Sequence, residues 1–152
     1  MKNEYFEKIN LPKIPNELLS SIAEIETFRN FFPNKAFSHT YASYEVPDRL
    51  FAFLRQYFEH DICVRYQVIK NKLPVHIDKG TTEKINYIID PGGKEVKTRW
   101  WDNLSNPKHI VCESILEKNE WYYLNVSLPH DITEIVSPRI SITIKNNNLT
   151  QK

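Results

Sequence analysis

Short apolar runs dominate the chain from Ile62 onward, and turn residues such as Pro91-Gly92-Gly93 separate them. They predict strands over 62–69, 74–78, 84–89, 95–101, 110–116, 121–128, 131–136 and 139–145. Short strands at regular intervals of about ten residues are typical of a β-sandwich or barrel. With eight of them, the natural choice is a jelly roll, that is, a cupin-like double-stranded β-helix.

The front of the chain has a different pattern, which predicts two helices. The first is expected over 16–31, between prolines, and the second over 48–60, with Asp48 as its N-cap. Leu50, Leu54 and Phe58 fall on one apolar face of the second helix. We therefore expect a single domain, 1–152, mainly β with N-terminal helices. Its helical front is 1–61 and its jelly-roll core 62–145, with the helices outside one sheet.

Composition bounds the possible partners. The chain has 152 residues, 41% of them hydrophobic, and a formal net charge of +1. The hydrophobic content suits one globular domain, whereas the near-neutral charge makes nucleic acid an unlikely partner. The sequence contains no apolar run of membrane-spanning length and no apolar leader at its start, and it has two cysteines. These features predict a cytoplasmic protein with no membrane partner.

A His-x-Asp motif stands in the predicted strand over 74–78. Residues two apart in a strand point to the same face, so His76 and Asp78 project together. With a second histidine, they would form the set of two histidines and one carboxylate that binds Fe(II) in non-haem oxygenases. Taken alone the motif is weak, because a strand that ends in a polar turn also explains it.

The last predicted strand has one polar and one apolar face. Arg139 and Ser141 alternate with Ile140, Ile142 and Ile144, and His130 precedes the strand. The strand could be an exposed edge with a solvated face. Alternatively, Arg139 and Ser141 line a pocket while the isoleucines pack against the helices, in which case the arginine fork suits a carboxylate ligand.

The order His-x-Asp, a distant histidine and then Arg-x-Ser resembles the Fe(II)- and 2-oxoglutarate-dependent oxygenase superfamily. The run from Arg65-Tyr66 to His76-Ile77-Asp78 looks like the segment before the metal motif in prolyl-4-hydroxylase-like members. The segment 121–141 looks like the end of small phage-type members. The resemblance covers about 62–145.

The resemblance implies a role for each matching residue. His76, Asp78 and His130 would bind Fe(II), and Arg139, helped by Ser141, would bind the distal carboxylate of 2-oxoglutarate. The activity implied is that of a dioxygenase, of the hydroxylase type, acting on a protein side chain, an amino acid or another small metabolite.

Three further residues are candidates for binding the cosubstrate or substrate. Asn86 and Tyr87 are neighbours in a strand, so they point to opposite faces and one of them should look into the barrel. Tyr66 is a similar candidate. Two other functions stay open: a cupin-like metalloprotein that does not use 2-oxoglutarate, and a non-catalytic jelly-roll binding module.

Overall fold

Two antiparallel sheets form the protein in the computed structural model, which describes residues 4–31, 41–59, 61–78, 80 and 83–146. The large sheet has the strand order β1-β8-β5-β10-β3-β2 and the small sheet β4-β9-β6-β7. The strands are β1 (Phe6–Ile9), β2 (Tyr41–Tyr44), β3 (Ile62–Ile69), β4 (Leu73–His76), β5 (Glu83–Asp90), β6 (Thr98–Trp101), β7 (Ile110–Ser114), β8 (Trp121–Asn125), β9 (His130–Ile132) and β10 (Arg139–Asn146). The predicted jelly-roll architecture is confirmed.

All eight predicted strands are present, and several are shorter than expected. The strand predicted over 95–101 covers Thr98–Trp101, and the one predicted over 131–136 is only His130–Ile132. β1 and β2 were not predicted. They lie at the two edges of the large sheet, where β1 pairs with β8 and β2 with β3. Their bounds fall within the front of the chain, which therefore contributes strands as well as helices.

The central strand β10 separates the core from the cavity that is described below. Ile142 and Ile144 are buried in the cluster that contains Leu50 and Leu54, and Ile140 packs against that cluster. Side chains alternate along a strand, so Arg139, Ser141, Thr143 and Lys145 lie on the other face. A slip of one residue would exchange the two faces, so burial of the isoleucines fixes the orientation of Arg139.

The helices are much shorter than predicted. The helix expected over 16–31 is wrong: the chain forms a single 3₁₀ turn, Asn16–Leu18, and a short helix α1, Ile22–Ile25. Ser21 has extended backbone angles and caps α1 in a capping box with Glu24, so it starts a new helix rather than continuing one. Helix α2 is Asp48–Arg55, and its N-cap is Pro47 instead of Asp48. No helix in the described ranges has both the length and the apolar character needed to cross a membrane.

Candidate metal centre and its cavity

The two histidines of the predicted metal site lie on neighbouring strands of the small sheet. His76 on β4 pairs in register with His130 on β9, and their ring centroids are 4.3 Å apart. The short strand β9 is held from its other face by Asp131, whose carboxylate accepts two hydrogen bonds from Arg99 of β6, of 3.0 and 2.6 Å. This bidentate contact between Arg99 and Asp131 therefore helps to fix the position of the adjacent residue, His130.

Each imidazole is oriented by its own backbone. Nδ1 of His76 lies 2.7 Å from the carbonyl oxygen of Pro74, and Nδ1 of His130 lies 2.7 Å from that of Leu128. A carbonyl oxygen can only accept, so Nδ1 is the donor in both rings. The other nitrogen, Nε2, is then available as a ligand, which is the usual arrangement for histidines that bind metals.

Asp78 completes the cluster. Its backbone N–H donates to the carbonyl of Val126 over 2.8 Å. Its Oδ1 lies 3.4 Å from Nε2 of His76 and 3.7 Å from Nε2 of His130. The potential ligand atoms of the three residues all lie within 4.8 Å of one another. The sequence prediction that these three side chains converge therefore agrees with the structure, and the set fits a divalent metal.

The second carboxylate oxygen of Asp78 has a different partner. Lys84 on β5 forms an ion pair with Oδ2. Lys84 is only 7% exposed, so its ammonium group lies inside the protein. One oxygen of Asp78 thus faces the two histidines while the other faces Lys84, an arrangement that suits a carboxylate binding a metal through a single oxygen.

The pKa values of the cluster reflect burial and these contacts. Burial by itself raises the pKa of Asp78, but hydrogen bonding to His76 and the charge of Lys84 together hold it well below its usual range. Burial, followed by the charge of His76, lowers the pKa of His130 to about 4. For His76 burial is outweighed by the hydrogen bond to Asp78, so its pKa is raised. Binding of a metal to Nε2 of His76 would release the proton that this nitrogen carries in the charged form of the ring.

The cluster opens into a cavity of about 560 Å³ between the two sheets. Side chains from both sheets line it, including Gln67, Asn86, Thr98 and Trp100. This volume lies within the range of about 300–1,000 Å³ that is usual for small-molecule sites.

Arg139 also lines the cavity, and it is 3% exposed. Its Nε donates to the carbonyl of Pro91 over 3.1 Å, and its Nη1 to Oγ1 of Thr98 over 3.0 Å. Its Nη2 is buried and has no hydrogen-bond partner among the described residues. Arg139 also forms no salt bridge with any of these residues. Burial lowers the pKa of Arg139 to about 10, so it stays charged at neutral pH.

The predicted cosubstrate residues divide between the two faces of the large sheet. Asn86 lines the cavity, and its buried Oδ1 has no partner among the described residues. Ser141 is buried on the cavity side but does not reach the cavity. Its hydroxyl donates to Oε1 of Gln67 over 3.2 Å, and Gln67 is the residue that lines the space.

Tyr66 and Tyr87 need correction, because both point away from the cavity. Tyr66 is fully buried in the core on the helix side, where its hydroxyl accepts a hydrogen bond from the N–H of Ser20 over 2.9 Å. The ring of Tyr87 packs against Trp121, with centroids 4.9 Å apart. The cause is strand alternation: their neighbours Gln67 and Asn86 occupy the cavity side.

Lys84 and Lys145 are cavity residues that sequence reasoning missed. The spacing of each along its strand could have indicated this position. Lys84 lies two residues before Asn86, and Lys145 continues the polar alternation of Arg139 and Ser141. A lysine near the end of a strand is usually solvated, which is why neither was singled out.

Comparisons with known proteins identify the fold. No protein-family model matches the sequence, and no curated protein matches it. Among solved structures, an oxidoreductase of the 2OG-Fe(II) oxygenase family from Burkholderia pseudomallei is similar with a TM-score of 0.51 and 8% identity, over 80% of this chain and 73% of that one. Vicilin from hazelnut, Corylus avellana, is similar with a TM-score of 0.50 and 10% identity, over 81% of this chain. This chain spans 32% of the vicilin chain. At such low identity, both likenesses show a shared jelly-roll fold.

Proposed function

We propose that the protein is an Fe(II)- and 2-oxoglutarate-dependent oxygenase, of the hydroxylase type. The observation that carries this proposal is that a possible iron site and a possible carboxylate site share one cavity. A cluster of two histidines and one carboxylate shares the cavity with a buried arginine that has no acidic partner among the described residues. The fold is also that of the Burkholderia oxidoreductase described above.

His76, Asp78 and His130 would hold the iron. Two neutral imidazole nitrogens and one carboxylate oxygen leave other coordination positions free, as the facial set of ligands in these oxygenases does. When bound, the iron would supply the activation of dioxygen that couples oxidation of 2-oxoglutarate to hydroxylation of the substrate. The backbone carbonyls of Pro74 and Leu128 hold the two rings in the tautomer that this role requires.

Arg139 would bind the distal carboxylate of 2-oxoglutarate. Its contact, Thr98, lies two residues from Trp100, which pairs in register with His130. Two residues of a strand cover about 6.6 Å. A short dicarboxylate is therefore long enough to reach from the metal ligands to the guanidinium group. The free N–H bonds of Nη2 would be satisfied by such a ligand, and Asn86 lines the same cavity.

One observation favours a different function. The ammonium of Lys84 already neutralises Asp78. A non-catalytic jelly-roll module would need no metal to balance the charge of this buried carboxylate. A cupin-like metalloprotein that does not use 2-oxoglutarate is the intermediate case, because it would keep the three ligands without needing Arg139.

One experiment separates these functions. The protein is loaded with Fe(II) without oxygen, its metal content is measured, and 2-oxoglutarate is titrated in before air is admitted and succinate is assayed. An oxygenase binds one iron, binds 2-oxoglutarate and forms succinate. Iron binding without 2-oxoglutarate binding would identify the cupin-like metalloprotein. Failure to bind any metal would leave the binding module.

A further inference from the structure

Two lysines face each other beside the candidate metal centre. Lys84 on β5 and Lys145 on β10 both line the cavity. Ile144 pairs with Ile85 in the antiparallel register, so the next pair along the two strands is Lys145 opposite Lys84. Opposed residues in an antiparallel pair have Cβ atoms about 5 Å apart, and like charges in these positions destabilise the sheet.

Of these two lysines, only Lys84 contacts an acidic side chain among the described residues. It contacts Asp78, whereas Lys145 is half-buried and makes no hydrogen bond or ion pair with any described residue. Burial and the nearby charge of Lys84 lower the pKa of Lys145, and the nearby charge of Asp78 opposes them only in part. An anion placed between the two ammonium groups would relieve both effects.

The net charge of the cavity also favours an anionic ligand. Three cationic side chains are among the described residues of its lining, those of Lys84, Lys145 and Arg139, and Asp78 is the single carboxylate among them. The charges of a divalent metal and a dicarboxylate cosubstrate would cancel each other. The cavity would then keep an excess of two positive charges, which a neutral or cationic substrate would leave unbalanced.

Lys145 is too far from Arg139 to bind the same carboxylate. Both residues lie on the cavity face of β10 and are six positions apart, or about 20 Å along the strand. The candidate metal ligands lie between them. At one end, Asp78 contacts Lys84, which lies opposite Lys145. At the other end, His130 pairs with Trp100, two residues from Thr98, which accepts a hydrogen bond from Arg139. The cavity thus has a second cationic end.

We propose that Lys145, with Lys84 beside it, binds a carboxylate or phosphate group of a small anionic primary substrate. The proposal deepens the oxygenase function and, as a statement about the substrate, rests on it. A small molecule fits better than a protein segment or a nucleic acid, because the cavity is of small-molecule size and Lys84 is almost fully buried within it.

The test uses inorganic phosphate and acetate as minimal probes, titrated into the full chain and followed by ¹H–¹⁵N NMR. One series uses protein saturated with Zn(II) and 2-oxoglutarate, which occupies the Arg139 end, and a second uses the metal-free protein. Lys145→Met removes the charge and keeps the length of the side chain. Lys72→Met is the matched control, because Lys72 is an exposed lysine outside the cavity.

We expect at least one of the two anions to shift the amide signals around residues 84 and 145. Lys145→Met should weaken that binding at least tenfold, Lys145→Arg should restore it, and Lys72→Met should change it less than twofold. The tighter of the two probes identifies the group as phosphate or carboxylate. Unchanged affinity in Lys145→Met, or no binding of either anion, overturns the proposal.

The two series keep this proposal separate from the oxygenase function. If the metal-free protein binds an anion through Lys145 while 2-oxoglutarate does not bind to the metal-loaded protein, the anion site stands and the oxygenase function fails. If 2-oxoglutarate binds and Lys145→Met has no effect on either probe, the oxygenase stands and the anionic substrate class fails.

Discussion

His76 and His130 lie opposite each other on paired strands, with their ring centroids 4.3 Å apart and each Nδ1 bonded to a carbonyl of its own chain segment. Neither ring can present Nδ1 to a metal without breaking that hydrogen bond. A metal bound by these two histidines would therefore meet Nε2 of each ring, in the space between these atoms and Asp78.

Replacement of His76 by alanine should abolish metal binding and preserve the fold. His76 is half-buried at the end of β4, so its loss leaves a small gap while removing one of three ligands. We expect Fe(II) affinity to fall by at least about 100-fold, since changes even in residues behind the ligands cost about 10–100-fold. Metal analysis and circular dichroism would measure the two effects. Exposed His109, replaced in the same way, is the control, and equal iron content in the two variants would remove His76 from the ligand set.

Arg139→Ala should weaken 2-oxoglutarate binding and leave iron binding nearly unchanged. A charge-assisted contact is typically worth about 1.5–3 kcal/mol, or roughly a ten- to hundred-fold change in affinity. Because Arg139 is buried, its removal also lowers stability, so Thr98→Val serves as a milder variant that removes only one hydrogen bond to the guanidinium. Calorimetric titration with 2-oxoglutarate should rank wild type, Thr98→Val and Arg139→Ala in order of falling affinity. Equal affinities would favour the cupin-like alternative.

Gly92 supports Arg139 from the turn before β6. Its φ is +87°, and a Cβ there would lie 2.8 Å from the carbonyl oxygen of Ser137. The preceding carbonyl, of Pro91, accepts the hydrogen bond from Nε of Arg139. Gly92→Ala should therefore destabilise the fold and reduce 2-oxoglutarate affinity together.

Gly80 provides the matched control for this prediction. Its φ is +76°, but a Cβ there meets no atom of a described residue within 4 Å. Gly80→Ala should cost only the backbone strain of about 1 kcal/mol, whereas Gly92→Ala should add about 1–3 kcal/mol for the collision. Chemical denaturation would compare the two, and equal destabilisation would mean that the turn at Gly92 relaxes freely.

The metal-free protein should lose stability in mild acid through His130. Its folded-state pKa of about 4 lies below the ordinary value of 6.5. Between these pH values the unfolded chain binds a proton that the folded protein does not, so the contribution of His130 is complete above pH 6.5 and is lost as pH falls towards 4. His76 acts in the opposite direction, because its raised pKa favours the folded state below pH 6.5.

A His130→Gln variant separates the contribution of His130. Its free energy of unfolding should fall less than that of the wild type between pH 6.5 and 4. Parallel curves for the two proteins would mean that His130 is not buried in its neutral form.

Strand alternation made much of the site predictable. His76 and Asp78 were placed on one face by their spacing, and the isoleucines of β10 gave the direction of Arg139. The same rule left Asn86 and Tyr87 undecided, because alternation says that neighbours point apart but not which one points inward. The structure decides for Asn86, since Tyr87 packs on Trp121.

The front of the chain was harder to predict because its structure depends on distant partners. The pairing of Phe6–Ile9 with β8 joins segments that lie more than a hundred residues apart. An apolar pattern over 16–31 resembles a helix locally, but the isolated bridge between Asn30 and Tyr44 draws the chain towards β2 instead. No periodicity within the segment itself reports such a contact.

The most direct test is a titration of the Fe(II)-loaded protein with 2-oxoglutarate in the absence of oxygen, followed by the visible charge-transfer absorption that chelation of Fe(II) by a 2-oxo acid produces. The expected result is a saturable absorption band at one 2-oxoglutarate per protein, which is absent in His76→Ala and requires at least tenfold more 2-oxoglutarate in Arg139→Ala. A wild-type protein that binds Fe(II) and develops no such band at saturating 2-oxoglutarate would contradict the proposed oxygenase function.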